Sequence, residues 1–307
     1  MKTERLRGVL APVVTPFTPE LAPDVSRFIR HCKWLLEHGC SGLAVFGTNS
    51  EANSLSAEER MVLLEELVQA GVPAGKLMPG TGCSALTDSV RLTAHAVKLG
   101  CAGALMLPPF YYKGVPDEGL FRNFSEVIER VADERLQIYL YHIPPVSQVP
   151  ISLGLIERLL KRYPKIVAGI KDSSGDWSNT QAVLTAFAAQ GFEVFAGSEV
   201  FLLRNMRAGG VGCITAGANV NPHGIDKVYR AWQSTEAEAL QASIDAVRKI
   251  LQSQVSMIPA LKATIAHYAR DADWMTVRPP LVELTPEQQA QMIRTLGDVG
   301  FEMPGIR

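Results

Sequence analysis

The stretch Ile166-Val167-Ala168-Gly169-Ile170-Lys171-Asp172-Ser173-Ser174-Gly175-Asp176 decides how this chain is read. Five uncharged residues end in a lysine, and a run of Asp, Ser and Gly follows. A short apolar run closed by turn-forming residues is a buried strand leading into a loop. The lysine then has two readings. In one, its ammonium reaches water and Lys171 is an ordinary strand end. In the other it stays buried, which is rare for lysine because desolvating an ammonium is expensive. Burial lowers the pKa of a lysine, and free amine at neutral pH is what a Schiff-base nucleophile needs. The flanking elements choose between the two.

Outward from this strand the same pattern repeats. Apolar runs at Val9 to Val14, Leu43 to Phe46, Leu77 to Gly80, Ala104 to Leu107 and Leu136 to Tyr141 precede it, so the Lys171 strand is the sixth. Glu193 to Ala196 and Val211 to Thr215 follow it. Helical stretches lie between. Asp24 is an N-cap for a helix to His38 that Gly39 ends, and Ser56-Ala57-Glu58-Glu59 is a capping box for a helix to Gln69. Leu86 to Leu99, Asp117 to Ala132, Ser152 to Tyr163, Asn179 to Gln190 and Val200 to Arg207 are helical, and a further helix follows Pro222. Alternating strands and helices at intervals of about 25–35 residues specify an α/β protein with a parallel sheet. Eight such units fit a closed (β/α)8 TIM barrel of about 250 residues. An open doubly wound sheet would need a glycine-rich phosphate loop after its first strand, and Val13-Val14-Thr15-Pro16-Phe17 has none. The expected organisation is a barrel over residues 1–230 and a helical region over 231–307, with helices at Thr235 to Leu251 and Pro286 to Leu296.

Composition excludes several functions. The chain has 307 residues with 30 basic against 31 acidic, a net charge of −1, so neither a nucleic-acid stripe nor an acidic tail is expected. The start, Met1 to Gly8, is polar and charged, so no secretory signal is expected. No apolar run approaches the roughly 20 residues of a membrane span. The five cysteines are scattered and odd in number, which fits free thiols in a reducing compartment and a cytoplasmic location. His31, Cys32, His38 and Cys40 cluster in sequence, but their spacing matches no zinc pattern, and no metal site is expected.

In a barrel of this kind the active site lies at the C-terminal ends of the strands. There the chain places Gly47-Thr48-Asn49-Ser50-Glu51, the pair Tyr111-Tyr112, Tyr141-His142, Lys171, and Gly197-Ser198-Glu199. A lysine, tyrosines, hydroxyls and backbone amides suit imine chemistry better than metal-assisted chemistry. Val167, Gly169 and Lys171 share one face of their strand, and Gly169 leaves space below the lysine. Tyr141, on the adjacent strand, can face Lys171. Its phenol has a reference pKa of about 10, so a nearby cation and a hydroxyl relay would be needed to shuttle protons near neutrality. Taken singly, Tyr141 reads first as a packed aromatic with a satisfied hydroxyl and the Gly-Thr-Asn-Ser segment as only a turn, though one whose amides and hydroxyls can hold a carboxylate.

These segments resemble the dihydrodipicolinate synthase / N-acetylneuraminate lyase family of class I pyruvate-dependent aldolases. Gly47-Thr48-Asn49-Ser50-Glu51 is similar to its Gly-[Thr/Ser]-Thr-Gly-Glu loop, Pro109-Phe110-Tyr111-Tyr112 to its double-tyrosine segment, and Tyr139-Leu140-Tyr141-His142-Ile143-Pro144 to its Tyr-Asn-[Ile/Val]-Pro stretch. Gly169-Ile170-Lys171-Asp172-Ser173-Ser174 resembles its Schiff-base segment, and Gly209-Gly210-Val211-Gly212-Cys213-Ile214 and Arg278-Pro279-Pro280-Leu281 complete the likeness. The resemblance implies a barrel with a C-terminal helical region, assembled as a homotetramer, that needs no cofactor beyond a covalent imine with its substrate. It implies that Lys171 forms that imine with pyruvate or a 2-oxo acid and that Tyr141 is the general acid/base. Thr48 would relay protons, with Tyr112 completing the relay from a neighbouring subunit. The Thr48-Asn49 segment would bind the pyruvate carboxylate, Gly197 and Ile214 would line the pyruvate end of the pocket, and Ser173 and Glu199 would meet the other half of the substrate.

The departures bear on substrate. Asn49 stands where the family has threonine, Ser50 where it has glycine, and His142 where it has asparagine. Val146 occupies the position of an arginine that in dihydrodipicolinate synthases grips the carboxylate of aspartate semialdehyde, and valine cannot make a bidentate charge-assisted contact. Val200 and Cys213 lack the polarity with which sialic-acid lyases recognise a polyol. The expected activity is therefore a lyase acting on a 2-keto-3-deoxy or 4-hydroxy-2-oxo acid, with pyruvate and an aldehyde as partners. Dihydrodipicolinate synthase, a dehydratase of 2-keto-3-deoxy sugar acids, and a keto-acid-binding pseudoenzyme are the alternatives. A degenerate site would be expected to lose one of Lys171, Tyr141, Thr48 or Tyr112, and all four are present.

Overall fold

A computed structural model describes residues 5–306; Met1–Glu4 and Arg307, which the sequence reading included in its N- and C-terminal segments, lie outside the described residues. Among the described residues, seven strands run β1 Gly8–Ala11, β2 Gly42–Leu43, β3 Ala104–Met106, β4 Ile138–His142, β5 Val167–Asp172, β6 Glu193–Ala196 and β7 Gly212–Ile214. All pair in parallel, in the order β2-β1-β7-β6-β5-β4-β3. The helices are α1 Val25–Glu37, α2 Ala57–Gln69, α3 Leu86–Leu99, α4 Asp117–Val131, α5 Pro144–Ser147, α6 Leu153–Arg162, α7 Trp177–Phe187, α8 Leu202–Arg207, α9 Pro222–Ala231, α10 Ala237–Gln252, α11 Met257–Ala269 and α12 Pro286–Asp298.

The expected third strand, Leu77 to Gly80, is not a continuous strand. It makes single bridges from Leu77 to Leu43 and from Gly80 to Leu105. Met78 N–H donates to Leu43 O at 2.8 Å on one side, and Leu105 N–H donates to Pro79 O at 2.9 Å on the other. Both edges of the seven-stranded sheet, β2 and β3, thus bond to this one segment. Pro79 lacks the N–H that a longer ladder would use. The same residue type shortens β1, which stops at Ala11 before Pro12. Val13 and Val14 remain buried, and Val14 N–H turns to Asn219 Oδ1 at 2.9 Å.

Inside the sheet, Leu10, Met78, Leu105, Tyr139, Phe195 and Ile214 form one apolar layer, each from a different strand or bridging segment and each essentially without solvent exposure. The outer faces of the strands pack under the helices. In α6, Leu155, Ile156 and Leu159 all face inward and are fully buried, and each such side chain stabilises the fold by about 1.5–3 kcal/mol. Ser152 caps this helix by accepting from Leu155 N–H, Asp24 caps α1 through Arg27 N–H, and Ser56 and Glu59 form the expected capping box of α2.

Helix α11 is missing from the sequence expectation. From Pro259 to Ala266 every residue is buried. A helix buried on all sides shows no 3.6-residue apolar stripe, so periodicity does not reveal it. The C-terminal region is fastened to the rest of the fold by ion pairs, including Asp271 after α11 to Arg27 at 2.7 Å, Arg248 of α10 to Glu199 at 3.0 Å and Arg278 to Glu59 at 2.5 Å.

The sequence cluster His31, Cys32, His38 and Cys40 is structural packing. His31 and His38 flank Trp34, with ring centroids 5.9 and 4.7 Å from it, and His38 Nδ1 bonds to Trp34 O at 2.7 Å. His31 is buried with neither ring nitrogen hydrogen-bonded, and desolvation lowers its pKa to about 4. A histidine that is neutral in the folded state and protonates when unfolded contributes stability above pH 6.5 that is lost as the pH falls towards 4. Urea unfolding of the wild type should therefore lose up to about 3 kcal/mol through this window beyond what a His31→Leu variant loses.

Candidate active site

Three of the expected residues come together at the C-terminal ends of the strands. Tyr141 in β4 lies directly opposite Lys171 in β5, because the two strands pair in register there. The Lys171 ammonium sits 4.2 Å from the centroid of the Tyr141 ring, and the residue is only 3% exposed. Among the described residues, no hydrogen bond or carboxylate ion pair engages its Nζ. Tyr141 OH lies 3.2 Å from Thr48 Oγ1 in the loop after β2, close enough for either hydroxyl to donate.

The space below Lys171 is organised differently from the expectation. Gly169 leaves room, but Tyr139 fills it. A Cβ on Gly169 would lie 2.9 Å from the Tyr139 ring and 2.3 Å from Glu193 O. The buried Tyr139 OH donates to Glu193 Oε2 at 2.7 Å, and Arg7 Nε donates to Glu193 Oε1 at 3.2 Å. This polar pair closes the interior beneath the lysine.

The Thr48 loop is a tight 3-10 turn, Thr48–Ser50, whose Gly47 N–H donates to Ser50 Oγ at 3.1 Å. Thr15 Oγ1 donates to Ser50 O at 2.7 Å, tying the turn to the chain after β1. Thr48 and Asn49 are partly exposed, whereas Ser50 and Glu51 are buried. Ser50, where a glycine was expected, thus makes bonds of its own that hold the turn.

Gly197, after β6, approaches Ser173, after β5, so closely that a Cβ on it would fall 2.0 Å from Ser173 Oγ. Ser173 N–H donates to His142 O at 2.7 Å, and Gly197 N–H to Asp172 O at 2.7 Å. These bonds bring the ends of β4, β5 and β6 to one edge, and Ile214 in β7 is fully buried beside them in the inner layer. Burial pushes the His142 pKa down, and its Nδ1 accepts from Ile151 N–H at 3.0 Å. The Asp172 carboxylate accepts from Ser174 N–H, Asn179 Nδ2 and Thr180 Oγ1 at 2.7–2.9 Å, so it braces its own loop.

Two expected contacts are not assembled within the chain. The Glu199 carboxylate is already engaged: it accepts from Thr215 Oγ1 and from Arg248 Nη1 on α10, the latter at 3.0 Å, instead of pointing free towards a substrate. Sequence reasoning missed Arg248 because it belongs to the helical region, far along the chain. Tyr112 is 71% exposed, its ring packed edge-on against Tyr111 at 5.4 Å and unconnected to the Thr48–Tyr141 bond. Val146, in the short helix α5, is also exposed; next to it Lys113, from the loop between β3 and α4, donates to Ser147 O at 2.8 Å and to Phe110 O.

A family model described as the dihydrodipicolinate synthetase family matches residues 5–298. The chain belongs to the dihydrodipicolinate synthetase family. One relative in this family, from Chloroflexus aurantiacus and named an uncharacterized DapA-like lyase, is 33% identical over 289 residues, covering 93% of this chain and 94% of its own. Another, named 4-hydroxy-tetrahydrodipicolinate synthase, from Gluconacetobacter diazotrophicus, is 29% identical over 98% of this chain and 99% of its own. Among solved structures, a dihydrodipicolinate synthase from Agrobacterium tumefaciens superposes with a TM-score of 0.87 at 30% identity, covering 95% of this chain and 99% of that one.

Gly169 gives a direct check of the geometry below the lysine. Gly169→Ala should destabilise the fold by about 1–3 kcal/mol, because both contacts of the added methyl are with packed groups. The shift of the urea-unfolding midpoint measures it.

Proposed function

We propose that this chain is a pyruvate-dependent lyase that forms a Schiff base at Lys171. One observation carries the reading: a buried lysine without a counter-ion among the described residues, beside a tyrosine whose hydroxyl is bonded to Thr48. A structural buried lysine is normally paired, whereas a nucleophilic one must give up its proton. The neutral amine of Lys171 attacks the keto carbon of a 2-oxo acid. The carbinolamine loses water, and the resulting iminium draws electrons from the adjacent bond. In the cleavage direction Tyr141 accepts the proton of the 4-hydroxyl as the C3–C4 bond breaks, releasing an aldehyde and leaving an enamine. Protonation at C3 and hydrolysis then return pyruvate and the free lysine.

The remaining residues take supporting roles. Thr48 relays the proton of Tyr141, and the amides of Thr48 and Asn49 hold the pyruvate carboxylate. Gly197 and Ile214 line the pyruvate end, and Ser173 borders the aldehyde half. Glu199 is left out of the direct contacts because Arg248 and Thr215 occupy its carboxylate. Tyr112 enters the relay of a neighbouring subunit in a homotetramer, which is consistent with its exposure in the single chain. No helix among the described residues is long and apolar enough to cross a membrane. We take the protein to be cytoplasmic, to require no cofactor, and to act on small molecules instead of nucleic acid. The fold is read as a closed eight-stranded barrel, with Leu77–Gly80 as the short closing strand, over residues 1–230, and a helical region over 231–307. Its support is the hydrogen bonding of that segment to both sheet edges.

The favoured substrate class is a 2-keto-3-deoxy or 4-hydroxy-2-oxo acid, with dehydration of a sugar acid through the same imine as a variant. The names of several relatives favour a second reading, 4-hydroxy-tetrahydrodipicolinate synthase. Val146 in place of an arginine weighs against it, and Lys113, whose ammonium reaches the adjacent Ser147 from the loop after β3, is spent on two carbonyls. Borohydride reduction in the presence of pyruvate should leave a pyruvyl adduct on the peptide containing Lys171, read by mass spectrometry. A chain with no adduct is a keto-acid-binding pseudoenzyme or something else. Efficient turnover of aspartate semialdehyde with pyruvate, in a coupled assay, would instead establish the synthase reading over the lyase.

A further inference from the structure

We infer that Lys262 is a positioning residue for the proton relay: through its ion pair with Glu51 it sets the turn that places Thr48 against Tyr141. The inference rests on the imine chemistry proposed above. Lys262 lies in α11, more than two hundred residues along the chain from the loop it holds. Its Nζ is 2.5 Å from Glu51 Oε1, and neither side chain reaches water, both being 0% exposed. The ammonium also donates to Thr276 O at 2.8 Å and lies 4.4 Å from the Phe17 ring centroid. The second oxygen, Glu51 Oε2, accepts from Arg278 N–H at 3.0 Å. The carboxylate is thus held at both oxygens by the C-terminal region.

Glu51 is also the hinge of the loop. Its φ is +55°, in the left-handed region that residues other than glycine occupy only when their surroundings hold them there. From that conformation its N–H donates back to Thr48 O at 3.2 Å, and its carbonyl accepts from Ser54 N–H at 2.8 Å. Lys262 therefore fixes Glu51, Glu51 closes the turn on Thr48, and Thr48 meets the Tyr141 hydroxyl at 3.2 Å. Stability alone does not account for such a pair. Desolvating two charges consumes most of their attraction, so apolar replacements of a buried pair are often as stable. What an apolar pair cannot supply is a directional hold on the backbone of a catalytic loop. A misplacement of about 1 Å far from the reacting atoms can slow a reaction by about a hundredfold.

The test uses the full-length chain with pyruvate as the probe. Borohydride trapping on Lys171 reports imine formation, and loss of the C3 protons in deuterium oxide, followed by NMR, reports the tyrosine-dependent step. The double variant Lys262→Met/Glu51→Gln removes the pair without leaving one charge buried alone. It should trap pyruvate at saturation to within about twofold of wild type while C3 exchange falls roughly 10–100-fold. Thr48→Val should lower C3 exchange by a similar factor. Lys262→Arg keeps the charge but displaces it, and it provides the same comparison should the double variant not fold. Exchange within about twofold of wild type in a variant that folds and traps pyruvate overturns the inference. Wild-type protein that traps no pyruvate overturns the imine reading itself, and this inference with it.

Discussion

An ammonium group cannot sit in an apolar interior without either a partner or the loss of its proton. Among the described residues this fold buries two lysines and treats them in opposite ways. Lys262 is given a carboxylate, a carbonyl and an aromatic face, and even so burial lowers its pKa to about 8 against the pull of Glu51. Lys171 is given only the face of Tyr141. The first lysine is provided for as a structural charge. The second, at the end of β5, is left without a counter-ion among the described residues.

The placement of Lys171 follows from how β4 and β5 pack. Tyr139 faces Gly169 and, two residues on, Tyr141 faces Lys171. The lower tyrosine fills the interior and is capped by Glu193, so the upper tyrosine and the lysine are lifted to the strand ends. A side chain at position 169 would collide with that filling, which is why the strand carries glycine one step below its lysine. Packing in the interior and geometry at the mouth are one constraint seen at two depths.

The C-terminal helices act on the same face from outside the sheet. Arg248 occupies Glu199 after β6, Lys262 occupies Glu51 after β2, and the backbone of Arg278 holds the other oxygen of Glu51. The helical region is therefore part of what shapes the loops of the candidate site, and it also decides which carboxylates remain available to a substrate. Glu199 illustrates this: as a residue after β6 it reads as a substrate contact, but the basic residue that claims it lies some fifty positions later.

By itself, the sequence determined the local structure and the inventory of the site. Apolar runs closed by turn residues located the strands, Asp24, Ser56 and Ser152 located helix starts, and the residues at strand ends named Lys171, Tyr141 and Thr48 together. These signals are legible because they act over a few residues: alternation, capping and turn chemistry. The tertiary structure alone decided the rest. Proline at positions 12 and 79 shortened or interrupted ladders that an apolar run suggests, since hydrogen bonding and not hydrophobicity sets where a ladder stops. Helix α11 carries no stripe because it is buried on every side, and the ion pairs of Lys262 and Arg248 join residues whose separation along the chain leaves no local trace. Which charges are free and which are spent is a property of contacts across the fold, and no run of neighbouring residues encodes it.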